Sequence, residues 1–290
     1  MKGKAAASLV FLKLGGSLLS DKRNPRSFRR KTVARIAAEI RRAFTESPGM
    51  RLLLAHGGGG AAHHPARKYR TREGLPGGGG WKGFAETRRG VIEMNRRVLD
   101  AFAGAGLRPV LVPPVGGVIA RDGLIREWPH KILVHLLGAG QIPLIHGDVV
   151  ADRKRGFTIV STEDLFVFLA DRLRPSLVIL ACDVEGVYSG VPLGREKARF
   201  IDAISPSNIA EIRRAFREPD GRNGRSGGFD VTGGMAAKVD RLIALVRRHP
   251  DIETRIVSGL KPGVVRAALL GKSAGTAIVG SKAARRGRMT

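Results

Sequence analysis

Four short stretches carry residue types suited to handling phosphate. They are Lys13-Leu14-Gly15-Gly16-Ser17 with Lys22 beyond it, His56-Gly57-Gly58-Gly59-Gly60 with His63, His146-Gly147-Asp148, and Asp230-Val231-Thr232-Gly233-Gly234-Met235 with Lys238. Glycines let backbone N–H groups approach a phosphate closely, and a lysine adds a point charge. Four consecutive glycines can form an anion-binding nest, to which a following helix adds its N-terminal dipole. His63 then falls on the first turn of that helix, where its imidazole can donate to a phosphate oxygen. Gly233-Gly234 opens a second helix, with Lys238 one turn in and aimed back at that N-terminus. A lysine there opposes the helix dipole, which favours a ligand role over a solvated one. Phosphoryl transfer needs positioned reactants and positive charge more than covalent help. The four stretches therefore point to transfer between two phosphorylated ligands held head to head.

Some of these residues also have a plainer reading. Lys13 could be a surface lysine in a strand turn, and His56 a structural residue at a strand end. A metal site at His56, His63 and His64 is a rival, against which stand the lack of a nearby cysteine and of carboxylate ligand spacing. The single cysteine, Cys182, excludes an internal disulfide framework and suits a reducing cytosol. Its place in the apolar run Leu177–Cys182 argues against a nucleophile. Gly271-Lys272-Ser273 ends like a P-loop, but Arg266 occupies the first glycine position. Gly104-Ala105-Gly106 begins like a dinucleotide loop, but Pro109 stands where its last glycine belongs. No protein-kinase His-Arg-Asp or Asp-Phe-Gly set occurs.

The elements that must position these residues alternate. Leu9–Leu14, Arg51–Ala55, Val110–Val112, Ile142–Ile145, Leu177–Ala181, Thr254–Val257 and Ala277–Val279 read as strands, the last closing the sheet. Val33–Phe44, about Phe84 to Ala103, Glu163–Leu173, Gly233–Arg248 and Gly263–Leu270 read as helices. Two hairpins are predicted, one around Arg121-Asp122-Gly123 and one around Asp152–Gly156. Gly221–Gly228 reads as a polar loop. This β-α alternation predicts a mostly parallel sheet with helices on both faces. Phe84, Val91 and Met94 recur at i, i+7 and i+10 on one helix face. Such stripes are usually plain core, with an apolar pocket as the alternative.

The chain has 290 residues, 43% of them hydrophobic, enough for a large packed core. No apolar stretch approaches the roughly 18 residues that span a bilayer. Lys2 and Lys4 before Ala5–Leu12 faintly suggest a signal peptide, but a first core strand is the better reading. The formal charge is +26. Its basic groups (Arg29-Arg30-Lys31, Arg88-Arg89, Arg96-Arg97, Arg213-Arg214, Arg247-Arg248, Arg285-Arg286) fall on the polar faces of predicted helices or in a tail. No nucleic-acid-binding motif accompanies them, so a solvated, arginine-rich surface is expected.

Taken together, from Leu12 to about Val279, the chain resembles the amino acid kinase superfamily and, within it, the isopentenyl phosphate kinases. The first family motif matches Lys13–Ser17, with its second lysine at Lys22. The His-Gly-Gly-Gly-Ser-Phe-Gly-His motif matches His56–Gly59 and His63, and the helix's trailing Ala and Tyr match Ala66 and Tyr69. Gly147-Asp148-Val149, Asp183–Tyr188, and Asp230–Met235 with Lys238 match the remainder. Gly60-Ala61-Ala62 departs from Ser-Phe-Gly. Ser161-Thr162-Glu163 departs from Ser-Gly-Asp, keeping the acidic charge on a longer arm.

The resemblance implies an α/β fold, an open three-layer αβα sandwich with a mostly parallel central sheet, in one domain spanning 1–290. Its acceptor part would cover about 1–160, its nucleotide part about 161–280, and a basic tail 281–290. Lys13, Lys22, His63, Glu163 and Lys238 would be catalytic. Gly58, Gly59, His63 and Gly147 would clamp the acceptor phosphate, and Phe84, Val149 and Ile159 would line the tail pocket. Lys13, Gly15, Gly16, Ser17, Asp183, Gly186, Tyr188, Gly233 and Lys238 would hold the nucleotide. The partners implied are ATP and isopentenyl phosphate, with Mg²⁺ held through ATP and no protein metal ligand. A cytoplasmic homodimer in isoprenoid precursor synthesis is expected. Rival readings are a kinase of another small phosphate or phosphonate such as fosfomycin, and a basic nucleic-acid-associated protein on the same fold.

Overall fold

The computed structural model describes residues 8–21, 24, 26–77, 79–188, 199–210, 212 and 234–280. Lys22, residues 221–233 and the tail 281–290 lie outside the described residues, and with them Gly233.

Strand β1 (Leu9–Leu14) is buried along its whole length because it lies mid-sheet. It is followed by a short α1 (Gly16–Leu19), α2 (Arg30–Glu46), β2 (Arg51–His56), α3 (Gly59–Lys68) and α4 (Gly80–Gly104). Then come β3 (Val110–Leu111), β4 (Ile119–Arg121), β5 (Leu124–Glu127), α5 (Lys131–Gly138), β6 (Pro143–His146), β7 (Asp148–Asp152) and β8 (Gly156–Val160). The remainder is α6 (Thr162–Leu173), β9 (Leu177–Cys182), β10 (Val187–Tyr188), β11 (Phe200–Ile201), β12 (Ala203–Ile204), α7 (Gly234–Arg248), β13 (Glu253–Ser258), α8 (Val264–Leu269) and β14 (Thr276–Ile278).

The main sheet has eight strands in the order β12-β14-β13-β9-β1-β2-β6-β3. All its pairings are parallel except β13–β14. Alternate residues of β1 face opposite layers, as strand geometry requires. Leu9 and Phe11 join a core with Leu133 of α5, Leu165 and Phe166 of α6, and Val239 and Leu242 of α7. Val10, Leu12 and Leu14 join another with Ile36 and Ile40 of α2, Met94 and Phe102 of α4, and Val265 of α8. This is the three-layer αβα sandwich. One sheet crosses the predicted division near residue 160, since β1 pairs with both β2 and β9.

A second sheet, β5-β4-β7-β8, holds both predicted hairpins. Asp122 (φ 55°) and Gly123 (φ 81°) take the left-handed conformations that a two-residue hairpin turn of this hand requires. The Asp152 carboxylate accepts hydrogen bonds from the N–H groups of Asp122 (3.0 Å) and Gly123 (2.7 Å), tying the two hairpins together.

Three expectations change. Helix α3 starts inside the glycine run, at Gly59, so His63 falls on its second turn rather than its first. Strand β14 is not the sheet edge: the two-residue β12 pairs outside it, and is too short to leave a periodic signal. Arg88 does not lie on a polar face. Its side chain is only 19% exposed, because α4 packs against β7, which begins at Asp148.

Candidate functional site

The carboxyl ends of β1, β2, β6 and β9 lie side by side, with Leu14 in register with His56, and His56 with His146. Their loops are stitched by backbone bonds. Gly15 N–H donates to Ala181 O (2.8 Å), Gly57 N–H to Leu14 O (3.0 Å) and Gly147 N–H to His56 O (3.3 Å). In open α/β sheets this edge is where ligands bind. The first two glycine loops meet backbone to backbone. A Cβ on Gly57 would lie 2.9 Å from Gly16 N, and one on Gly16 would lie 3.0 Å from Gly59 N.

Lys13 points to the same side of β1 as Leu9 and Phe11, the side that α6 covers. There its Nζ lies 2.5 Å from Oε2 of Glu163, both side chains being almost fully buried. The longer arm of Glu163 therefore reaches the lysine. Burial works to raise the Glu163 carboxyl, but Lys13 and Lys238 outweigh it and hold the group below its usual range. Its other oxygen, Oε1, is buried without a hydrogen-bond partner. Local chemistry explains the placement. Ser161 and Asp164 form a reciprocal cap on α6, Ser161 Oγ accepting from Asp164 N–H at 3.1 Å and Asp164 Oδ2 accepting from Ser161 N–H at 2.9 Å. The other Asp164 oxygen accepts from Arg241 Nε on α7 at 2.6 Å. Lys238 lies three residues before Arg241 on that helix, which brings its charge to Glu163.

On α3, His63 is half-buried and its Nε2 lies 3.6 Å from where a Cβ on Gly16 would stand. His63 and the first glycine loop thus converge on one point. Ser20, which sequence reading missed, accepts from the Gly60 N–H at 2.8 Å and donates to Gly16 O at 3.3 Å. Its residue type suits a helix cap, but forty residues separate it from the group it caps.

Other predicted residues are placed with different partners. Ser17 donates to the Asp183 carboxylate at 2.7 Å. Gly186 is demanded by packing, since a Cβ there would lie 2.5 Å from Thr276 Oγ1 and 2.8 Å from the Phe200 ring. The Tyr188 ring meets Phe200 edge-on at 5.4 Å. Burial pushes the Cys182 thiol up to about 11, with Lys238 and Lys13 opposing, so it stays protonated and inert.

The three histidines of the metal reading do not come together. His56 Nε2 meets Asn95 Oδ1 at 2.8 Å and its Nδ1 meets Gly57 O at 2.9 Å, while His64 is exposed. His56 stacks instead on His146, ring centroids 5.5 Å apart. Burial holds both imidazoles below their ordinary pKa. Among the described residues no group of three or more His, Cys, Asp or Glu side chains is set to hold a metal ion.

The predicted apolar stripe of α4 divides. Met94 belongs to the main core beneath α3. Phe84 meets Phe157 at 5.5 Å and Trp81 at 5.4 Å. Val149 is fully buried, pairs with Ile159 across the hairpin, and like Val91 and Phe84 lies outside both core clusters. A separate apolar patch therefore lies between α4 and the β7–β8 hairpin. Trp81 and Phe157 were missed. Phe157 stands two residues before Ile159 on β8, so strand alternation puts both on one face.

Next to that patch Asp148 follows Gly147. Its carboxylate accepts from the N–H of Val149 (2.9 Å) and Val115 (3.2 Å). Burial pushes its pKa up to about 6, against the pull of Arg88 and those two N–H groups. Arg88 Nη1 lies 3.7 Å from Asp148 Oδ1.

Residues 8–258 match the amino acid kinase family, and the chain belongs to it. Within that family the chain is 32% identical to the isopentenyl phosphate kinase of Methanocaldococcus jannaschii, over 93% of this chain and 98% of the relative. It is 35% identical to that of Haloferax volcanii, over 89% of this chain and 98% of the relative. A solved isopentenyl phosphate kinase structure superposes with a TM-score of 0.76 at 30% identity, covering 93% of this chain and all of the other.

Proposed function

We propose that this kinase transfers the γ-phosphoryl group of ATP to isopentenyl phosphate, forming isopentenyl diphosphate and ADP. The observation that carries this reading is the convergence of His63 on Gly16, beside the Lys13–Glu163 pair. It sets an imidazole donor for an acceptor phosphate next to a cation for the transferring one. A phosphate monoester, with its second pKa near about 6, is largely dianionic at neutral pH. One of its oxygens attacks the γ-phosphorus as the bond to the β-phosphate oxygen breaks, and no base is needed to generate the nucleophile.

In this reading Lys13, Lys22 and Lys238 neutralise charge on the transferring group, and Glu163 orients Lys13. Gly58, Gly59, His63 and Gly147 hold the acceptor phosphate, and Phe84, Val149 and Ile159 the isoprenoid tail. Gly15, Gly16, Ser17, Asp183, Gly186, Tyr188 and Gly233 serve the nucleotide side. Mg²⁺ would travel with ATP, held mainly by its phosphates and by water, and would add positive charge to the transferring group. The acceptor part about 1–160, the nucleotide part about 161–280, a homodimeric state, a cytoplasmic location and a place in isoprenoid precursor synthesis belong to the same proposal. The test is an ATP-consumption screen over isopentenyl phosphate, dimethylallyl phosphate, fosfomycin and N-acetylglutamate. The highest kcat/KM is expected with isopentenyl phosphate, and a clear preference for fosfomycin or N-acetylglutamate would replace this reading.

A further inference from the structure

Arg88 occupies a place that neither the core nor the groups assigned above explain. On α4 it follows Phe84 by four residues and precedes Val91 by three and Asn95 by seven, so all four share one inward stripe. Phe84 borders the apolar patch, and Asn95 holds His56. The guanidinium between them acts electrostatically on both His146 and Asp148, the two residues flanking Gly147. Yet its Nη1 is buried and makes no hydrogen bond. Asp148 supplies charge but no bond to it. The separation is 3.7 Å, and both carboxylate oxygens already accept backbone N–H groups. Buried donors in folded proteins are almost always paired. A guanidinium left with an open, buried N–H beside a phosphate-handling loop has the planar fork that a phosphate dianion fits.

We propose that Arg88 is a binding residue for the acceptor, donating from Nη1 to its phosphate while the adjoining apolar patch takes the tail. This rests on the reading that the strand-end edge holds a phosphorylated acceptor. It adds a cation on the acceptor's own side, distinct from the lysines assigned to the transferring group.

The experiment compares wild type with Arg88→Met, Arg88→Lys and the double variant Arg88→Met/Asp148→Asn, in steady-state assays varying isopentenyl phosphate and ATP separately. Wild-type turnover of isopentenyl phosphate tests the earlier reading on its own; the variant-to-wild-type ratios test this one, and can be taken with whichever phosphate acceptor the wild type uses. Arg88→Met should raise the acceptor KM by about tenfold or more, with the ATP KM within about twofold, and Arg88→Lys should fall between. An unchanged acceptor KM, or equal rises in both KM values, overturns the proposal. So does recovery of the wild-type acceptor KM in the double variant, because Arg88 would then only neutralise Asp148. If Arg88→Met does not fold, Arg88→Lys decides: a selective rise in acceptor KM supports the fork, and wild-type values defeat it.

Discussion

Lys13 and Glu163 stand 150 positions apart and form a buried ion pair at the carboxyl end of β1. Burying two charges is costly, and such a pair is weak evidence for stability on its own account. Its place at the ligand edge argues for a charge held ready. Lys13→Ala should therefore lower kcat by about 10²–10³-fold, the scale of a lost transition-state donor, with little change in acceptor KM. A kcat within about threefold of wild type would remove Lys13 from the chemistry. Asp148 makes a prediction about pH. Burial raises its folded pKa to about 6 from an ordinary 3.8, so the folded state binds the proton more tightly than the unfolded one. Its contribution is most favourable below the unfolded value and is lost as pH rises through the folded value. Measured by denaturant titration from pH 4 to 7, wild-type stability should fall relative to Asp148→Asn by about 2 kcal/mol. A difference that does not move with pH would mean that the carboxyl titrates normally.

At the scale of elements, α3 carries His63 and α4 carries Phe84, the residues proposed for the acceptor side. His63→Gln keeps a hydrogen-bond donor and should retain part of the activity. His63→Ala should lose about 2–4 kcal/mol of transition-state stabilisation in kcat/KM. Equal losses after chelation and Mg²⁺ re-addition would defeat the donor role. Phe84 is half-buried and packs edge-on against Phe157, apart from both main cores. Phe84→Ala should shift preference toward longer isoprenoid monophosphates, each buried methylene contributing roughly 0.8 kcal/mol. The readout is the ratio of kcat/KM for a ten-carbon to a five-carbon acceptor, set beside the melting temperature. Uniform loss with a lowered melting temperature would mark Phe84 as plain core.

The whole molecule carries +26. Its described surface pairs, such as Arg153–Glu127 and Lys154–Asp122, are exposed and individually contribute little. Self-repulsion among the many unbalanced cations therefore outweighs them, and it opposes the compact state. Screening acts over about 10 Å at 0.1 M salt. The melting temperature should accordingly rise as NaCl goes from about 0.05 to 0.5 M, on the same screening argument. A steady fall would show that attractive surface networks dominate instead. Among the described residues no helix is long and apolar enough to cross a membrane.

Backbone placement was legible from the chain alone. Apolar runs of strand length marked β1, β2, β6 and β9, and glycines just beyond them marked the loops, because strand period and glycine permissiveness are local properties. The Asp122-Gly123 turn was legible for the same reason. Side-chain environments were not. Arg88 beside Arg89 looked like solvated charge, and only the packing of α4 against β7 buries it. Met94 and Phe84 share a helical stripe, yet one fills the core and the other borders a separate patch. Ser20 caps a helix forty residues away, and Glu163 meets a lysine 150 residues away. The sequence by itself determined which groups stand at the strand ends, since that follows from local period. The tertiary structure alone decided which charges lose their water and which partners replace it, since that depends on what other elements cover them.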